Sequence, residues 1–166
     1  MAMGLSLRSL SLAIVVALLL PAGTAPARAA TNIIGAAAVL PDGTLRVNQY
    51  WIRLYGVYIP ERGQQCRTFI SPVYCGARAA VALDTRIQGF VFCQAVSRNT
   101  DGSVNAFCSW GRTFNSSGED LGAFLIERGL ALAGPDAPFE YVALERVAQT
   151  RGSGIWGFRP DVIIRR

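Results

Sequence analysis

The four cysteines have the most constrained chemistry of any residues in this sequence. None of them forms the closely spaced pair used by a CxxC redox motif or a four-cysteine zinc site, so we expect disulfides instead. Structural disulfides belong to oxidising compartments, and four cysteines allow about three pairings. The residues concerned are Cys66, Cys75, Cys93 and Cys108.

An expected β-hairpin selects one pairing. Two strand-like segments flank the turn-forming residues 99–102, whose Asn-Thr-Asp-Gly sequence favours a tight connection. If Arg98 faces Ser103 across this hairpin, Cys93 lies directly opposite Cys108. A disulfide there would stabilise the fold by about 3 kcal/mol. By elimination, the remaining two cysteines form the second disulfide.

The ionisable composition narrows the possible chemistry further. The chain has no histidine, which excludes a Ser-His-Asp triad, a Cys-His pair and histidine-ligated zinc. Every basic residue is arginine, whose guanidinium binds phosphate or carboxylate through two parallel hydrogen bonds. A codon usage biased towards arginine is the alternative explanation of this composition. The net charge of +5 permits a polyanionic partner without requiring one.

The N-terminus has the pattern of a cleavable secretory signal. Arg8 precedes an apolar run from Leu10 to Leu20, and the small-residue site Ala27-Arg28-Ala29 follows. The run is shorter than the roughly twenty residues that a membrane-spanning helix needs, so a permanent anchor is the weaker alternative. We therefore expect residues 1–30 to be a signal peptide, residues 31–166 to be one domain, and the protein to be exported, either periplasmic or secreted.

The order of predicted elements indicates the architecture that must position any site. Apolar and β-branched residues predict a meander of three strands over 33–39 and 44–58, and helical spacing of apolar residues predicts a helix that stops at Gly89. The hairpin follows, then a short helix that begins with a capping pair of Ser117 and Asp120, and a last helix from Pro138 to Arg151, ended by Gly152. This order is typical of a five-stranded Greek-key barrel of the OB type.

Several short segments have an informative order and spacing along the chain. They are Asp42-Gly43-Thr44-Leu45-Arg46-Val47, Ile52-Arg53-Leu54-Tyr55-Gly56-Val57, Pro60-Glu61, Gln65-Cys66, Cys75-Gly76 with Ala79-Ala80 and Leu83, Asp120-Leu121, Arg128-Gly129 with Ala131, and Glu145 followed by Gly154-Ile155-Trp156. Together they resemble the staphylococcal nuclease, or thermonuclease, family. The resemblance implies an α+β fold, a five-stranded OB-fold barrel of the staphylococcal nuclease type, and calcium-dependent cleavage of DNA or RNA.

The resemblance also implies which residues form the site. In the family a glutamate acts on the attacking water, two arginines hold the phosphate, and two aspartates hold the metal, which places positive groups where transition-state charge develops. Arg53 matches the first arginine and Glu61 matches the glutamate, so both are candidate catalytic residues. Asp42 is the remaining candidate metal ligand. The second aspartate is replaced by Tyr58, and the second arginine by Ser103.

These replacements predict a degenerate site with weak or absent hydrolysis. Calcium requires six to eight oxygen ligands, and Tyr58 and Ile59 stand where the family has oxygen donors, so we do not count calcium as an expected cofactor. Arg98 is a hypothetical phosphate-binding replacement for the missing arginine, or else a solvated residue. Arg53 and Glu61 form either a functional pair or a structural ion pair. The alternative function is a non-catalytic OB-fold module that binds nucleic acid or another anionic or protein partner.

Four aromatic residues near the predicted site suggest a stacking platform for bases, as in other OB folds: Tyr50, Trp51, Tyr55 and Tyr58. Tyr58 either stacks a base or fills a site that has lost its function. Strand alternation puts Trp51, Arg53 and Tyr55 on one face and Tyr50 on the other. Some of these rings must belong to the core. DNA or RNA is accordingly a candidate partner.

Overall fold

The computed structural model describes residues 31–66 and 73–157, and the predicted signal peptide lies outside them. The strands are β1 Asn32–Val39, β2 Leu45–Val47, β3 Tyr50–Leu54, β4 Val57–Tyr58, β5 Gln65–Cys66, β6 Val73–Tyr74, β7 Phe90–Arg98, β8 Val104–Trp110, β9 Glu119–Asp120 and β10 Leu132–Ala133. The helices are α1 Gly76–Arg86, α2 Leu121–Glu127 and α3 Phe139–Arg151, and a 3₁₀ turn covers Gly154–Gly157.

Five strands close into a mixed barrel. Antiparallel pairing runs in the order β3-β2-β1-β7-β8, and β3 then pairs in parallel with β8, with Ile52 opposite Val104. This last pairing joins the two ends of the sheet, so the barrel leaves few unpaired strand edges. The predicted α+β class and OB-like barrel are confirmed at this level.

Strand alternation decides which residues enter the barrel. On β2 and β3 the buried side chains are Leu45, Val47, Ile52 and Leu54, whereas the intervening residues point outward to solvent. The same alternation on β7 and β8 buries Val91, Cys93, Val104, Ala106 and Cys108. Burial of apolar side chains is the main favourable contribution to folding, so this alternation fixes the barrel's inner face.

The hairpin of β7 and β8 carries the predicted disulfide. Cys93 lies opposite Cys108 and the two are bonded, as the sequence predicts. The predicted register of the hairpin end is wrong, because a bulge between Ala95 and Ser97 inserts one residue into β7. As a result, Arg98 faces Val104 and not Ser103.

For the second predicted disulfide, the structure describes the side chain of one of the two cysteines. Cys75 is disulfide-bonded and buried at the start of α1. The side chain of its expected partner, Cys66, lies outside the described residues. The pairing of these two cysteines stays a prediction.

The helices follow one another along the chain in the predicted order, and they pack against the barrel. α1 buries Ala79, Ala80 and Leu83, which recur at helical spacing. α3 ends at Gly152, which adopts the left-handed conformation (φ 63°) that glycine tolerates.

The start of α2 differs from the prediction. Ser117 lies outside the helix, and Asp120 itself is the cap, with its side chain accepting a 2.8 Å hydrogen bond from the backbone N–H of Ala123. The same carboxylate accepts a 2.6 Å bond from the Tyr141 hydroxyl of α3. Burial and this bond to Asp120 raise the pKa of Tyr141, so the hydroxyl stays protonated and joins the two helices.

Within the described ranges, no helix has both the length and the apolar character needed to cross a membrane.

Candidate functional site

Arg53 points outward from β3 and is paired with a carboxylate of the β7–β8 turn. Its Nη2 lies 2.8 Å from Oδ2 of Asp101, and the two side chains are 55% and 49% exposed. The pairing arises because β3 and β8 run in parallel with Arg53 opposite Asn105, which brings the turn alongside β3. The alternative of an ion pair between Arg53 and Glu61 is wrong, since the partner is Asp101.

Asp101 is held in position by its own turn. Its Oδ1 accepts hydrogen bonds from the Ser103 hydroxyl at 2.6 Å and from the Ser103 N–H at 2.9 Å. These bonds to Ser103, and to a smaller extent the charge of Arg53, lower the pKa of Asp101 below its usual value. An ionised carboxylate therefore already binds one side of the Arg53 guanidinium. The signal in the sequence was Asp101-Gly102-Ser103, a typical turn in which Asp bonds to the backbone two residues on.

A chain of amides and hydroxyls extends this arrangement across the hairpin. Asn99 donates to the Ser103 hydroxyl at 2.9 Å and to Oδ1 of Asn105 at 3.1 Å. Asn105 donates in turn to the Ser97 hydroxyl at 3.0 Å and to Oδ1 of Asn99 at 2.9 Å. This polar chain fixes the turn that presents Asp101 to Arg53. Side-chain pairing of this kind depends on the bulged register and was not predicted.

Asp42 is used by the turn between β1 and β2. Its Oδ1 accepts a 3.0 Å bond from the Thr44 N–H, and its Oδ2 accepts a 2.9 Å bond from the Thr44 hydroxyl. Gly43 completes the turn with a positive φ of 82°, which disfavours other residues there. Both carboxylate oxygens of the predicted metal ligand thus serve the local turn.

An aliphatic side chain fills the space beside this turn. A Cβ atom on Gly43 would overlap Cδ1 of Ile59, so the turn lies directly against the segment that leads to Pro60 and Glu61. Ile59 is half-buried and packs against the barrel core. The fold brings the Asp42 turn and the Glu61 segment together, with hydrocarbon between them.

The residues present do not fit a calcium site. Calcium requires six to eight oxygens, and this location offers one aspartate whose oxygens already bond to Thr44, next to Ile59. Over residues 31–66 and 73–157, no group of three or more acidic, histidine or cysteine side chains could hold a metal ion.

Glu61 is exposed on the loop after β4. Its backbone carbonyl accepts a 2.8 Å bond from the Gln64 N–H and lies so close to Gly76 that any Cβ there would overlap it. Its carboxylate makes no hydrogen bond or ion pair with another described residue. Glu61 is thus anchored through its backbone at the start of α1, with its side chain directed to solvent.

Arg98, the candidate phosphate ligand, ends β7, and Tyr58, a candidate stacking ring, ends β4. The phosphate-binding role of Arg98 stays a prediction. Arg98 is exposed and donates a 3.3 Å bond to the Gly102 carbonyl of its own turn. Tyr58 pairs with Leu132 in the ladder of β4 and β10 and packs against the small core cluster around Cys75 and Ile155. Its place in this cluster indicates a packing role.

Trp51 remains as the exposed ring of the predicted aromatic platform. Tyr55 packs edge to face on Phe107 with ring centroids 5.0 Å apart, and Tyr50 is half-buried against the main core. Trp51 is 48% exposed on β3, and Arg46 of β2 lies directly across from it. An aromatic ring and a cation therefore stand side by side on the outer face of the barrel.

No protein-family model matches the chain, and no curated protein matches its sequence. The resemblance to thermonucleases therefore depends on the short segments quoted above.

Proposed function

We propose that this chain is an exported, thermonuclease-like barrel that has lost calcium-dependent hydrolysis, so that it cleaves nucleic acid weakly or not at all, and that it functions as a binding module for nucleic acid. The observation that carries this proposal is the contact of Ile59 with the Gly43 turn. The Ile59 side chain occupies the space in which a metal ion held between the Asp42 turn and Glu61 would need oxygen ligands.

The remaining polar groups also favour binding over catalysis. Removing one positioned transition-state donor costs about 10²- to 10³-fold in rate, and the charge of Arg53 is already shared with Asp101. Because the residues do not fit a metal, no metal ion would lower the pKa of a water molecule that Glu61 could activate. Binding a polyanion requires neither a positioned donor nor a metal ion. An arginine that contacts a phosphate releases counterions, and this release favours binding wherever the arginine lies on the surface.

The expected location is consistent with the disulfide. Cys93 and Cys108 are bonded inside the barrel core, and structural disulfides belong to oxidising compartments. Together with the secretory pattern of residues 1–30, this supports a periplasmic or secreted protein.

A digestion assay tests the loss of hydrolysis. The purified protein is incubated with plasmid and single-stranded DNA, with calcium and with a chelator, beside the Glu61→Gln variant. We expect slow or no cleavage, unaffected by the chelator and by the substitution. Rapid calcium-dependent digestion that Glu61→Gln abolishes would contradict the proposal.

A salt titration tests the binding. We expect the affinity for nucleic acid to fall steeply as salt rises, because each phosphate contact releases about 0.7 to 0.9 counterions. An affinity that is independent of salt would exclude arginine–phosphate contacts as its basis.

A further inference from the structure

We infer that Arg46, Trp51 and Arg53 form a surface that binds single-stranded nucleic acid, with one base stacked on Trp51. This inference rests on the proposed function and adds to it the form of the nucleic acid and the residues that select it. We call these three residues the open surface.

The barrel register places the three side chains together. Arg46 and Trp51 are a directly opposed pair of the antiparallel β2–β3 ladder, so their Cβ atoms lie about 5 Å apart. Arg53 follows Trp51 by two residues on the same outward face, about 7 Å along the strand. On the far side of Arg46 its β1 partner is the small, exposed Ala38, which leaves the open surface uncovered there.

The environment of Trp51 differs from that of the other two tryptophans. Trp110 lies under the guanidinium of Arg86 and donates its Nε1–H to the Gln88 carbonyl at 3.2 Å. Trp156 packs against the small core cluster that includes Ile155. Trp51 makes no ring-stacking or cation–π contact with any residue of the described ranges. Its ring face is therefore accessible to a ligand.

Arg46 belongs to the arginines of the described ranges whose guanidinium group has no partner in the protein. The guanidinium groups of Arg86, Arg112 and Arg128 each lie over an aromatic ring of the protein, and Arg151 pairs with Glu127. In the described part of the chain, Arg46 has no hydrogen bond, ion pair or ring contact. An unpaired cation thus stands beside an exposed aromatic ring.

This combination matches the chemistry of a single strand. A base offers a π-face to Trp51, and phosphates on either side of it offer negative charge to Arg46 and Arg53. In a duplex the base faces are stacked within the helix and are inaccessible to an aromatic side chain. An acidic peptide would satisfy the arginines without using the ring, so the ring favours the single strand.

Fluorescence anisotropy of a labelled thymidine oligonucleotide, read in low salt on the full exported protein, tests the inference. Trp51→Ala should weaken binding about tenfold, and Trp51→Phe should restore most of it, because stacking is worth about 1–3 kcal/mol per base. Arg46→Gln should weaken binding and lower the slope of log affinity against log salt by about one contact.

Two matched controls lie outside the open surface. Phe90→Ala removes an aromatic ring that is 71% exposed on β7, and Arg151→Gln removes a surface charge near the end of α3. Both should leave the affinity unchanged. The same oligonucleotide annealed to its complement should bind more weakly than the single strand.

The outcomes separate this inference from the proposed function. If Arg53→Gln weakens binding but Trp51→Ala leaves it unchanged, the inference is wrong and the binding module stands. Equal affinity for the duplex and the single strand, or equally strong competition by polyglutamate, also overturns the inference. If the unmodified protein binds no oligonucleotide, the proposed function fails as well.

Discussion

The barrel carries two arginine–tryptophan pairs whose surroundings are opposite. In the first, Arg86 of α1 lies over Trp110 of β8, with 4.4 Å between its guanidinium carbon and the ring centroid. In the second, Arg46 of β2 faces Trp51 of β3 across an antiparallel ladder without stacking on it. We call them the closed pair and the open pair.

The closed pair is saturated by its neighbours. The Nε of Arg86 lies 2.5 Å from Oε2 of Glu119, and its guanidinium is also 5.8 Å from the ring of Phe124 on α2. Trp110 has its indole N–H bonded to Gln88. The guanidinium, the carboxylate of Glu119 and the indole N–H each have a partner, so the cluster connects α1, α2 and the end of β8. It has little capacity left for a ligand.

The open pair has no such neighbours, and this contrast separates the structural role of the closed pair from the binding role that we propose for the open pair. The residue types are the same in both pairs, so composition cannot distinguish them. What differs is whether a third element covers the pair. α1 and α2 cover one end of β8, whereas the outer face of β2 and β3 has only Ala38 beyond Arg46.

The largest effect is expected at the disulfide that joins β7 to β8 inside the barrel. Replacing both Cys93 and Cys108 with alanine should lower the free energy of unfolding by about 3 kcal/mol, because the unfolded chain regains the entropy of the closed loop. Denaturant unfolding monitored by tryptophan fluorescence measures the loss. A change below about 1 kcal/mol would contradict it. Reducing agent should lower the stability of the unmodified protein by more than that of the double variant, in which only the disulfide of Cys75 is left to reduce.

A smaller effect is expected in the closed pair. Arg86→Gln removes the cation over Trp110 and the ion pair with Glu119, and should lower the free energy of unfolding by about 1–2 kcal/mol. The value is modest because both charged side chains are partly exposed, 39% for Arg86 and 33% for Glu119. Oligonucleotide affinity should not change. If Arg86→Gln weakened binding as much as Trp51→Ala, the distinction between the two pairs would be lost.

The smallest stability change is expected at Asp101, where binding should improve. Asp101→Asn removes the carboxylate that competes with phosphate for Arg53, so the affinity for the oligonucleotide should rise about threefold, less than a full charged contact supplies. Arg53→Gln in the same chain should cancel the gain. Unchanged or weaker binding by Asp101→Asn would mean that Arg53 does not contact the ligand.

The pH dependence follows from the sign of the Asp101 shift. Its pKa is lowered from 3.8, so its stabilising contribution is present above the unfolded value and is lost as the pH falls through the lower folded value. Between pH 5 and pH 8 the carboxylate stays ionised. Lowering the pH from 7 to 5 should therefore not reproduce the binding gain of Asp101→Asn, which a pH series of the anisotropy titration would check.

Local signals in the sequence were sufficient for the barrel framework. Alternation along 44–58 predicted that Trp51 and Arg53 share one face of β3, because a strand has a strict period of two. Gly152 predicted the end of α3 because the left-handed conformation there strongly favours glycine. The pairing of Cys93 with Cys108 was also predictable. The bulge shifts the register only between itself and the turn, so the predicted register holds at the two cysteines.

The partners of the site residues were decided by the tertiary structure alone. The bulge beside Ser97 moved Arg98 opposite Val104, the parallel approach of β8 to β3 gave Arg53 its partner Asp101, and Ile59 came to rest on the Gly43 turn. The sequence by itself determined which residues share a face of a strand, because strand periodicity is local. Whether an exposed arginine is neutralised, stacked or free depends on elements distant in the chain, and only the closure of the barrel brings those elements together.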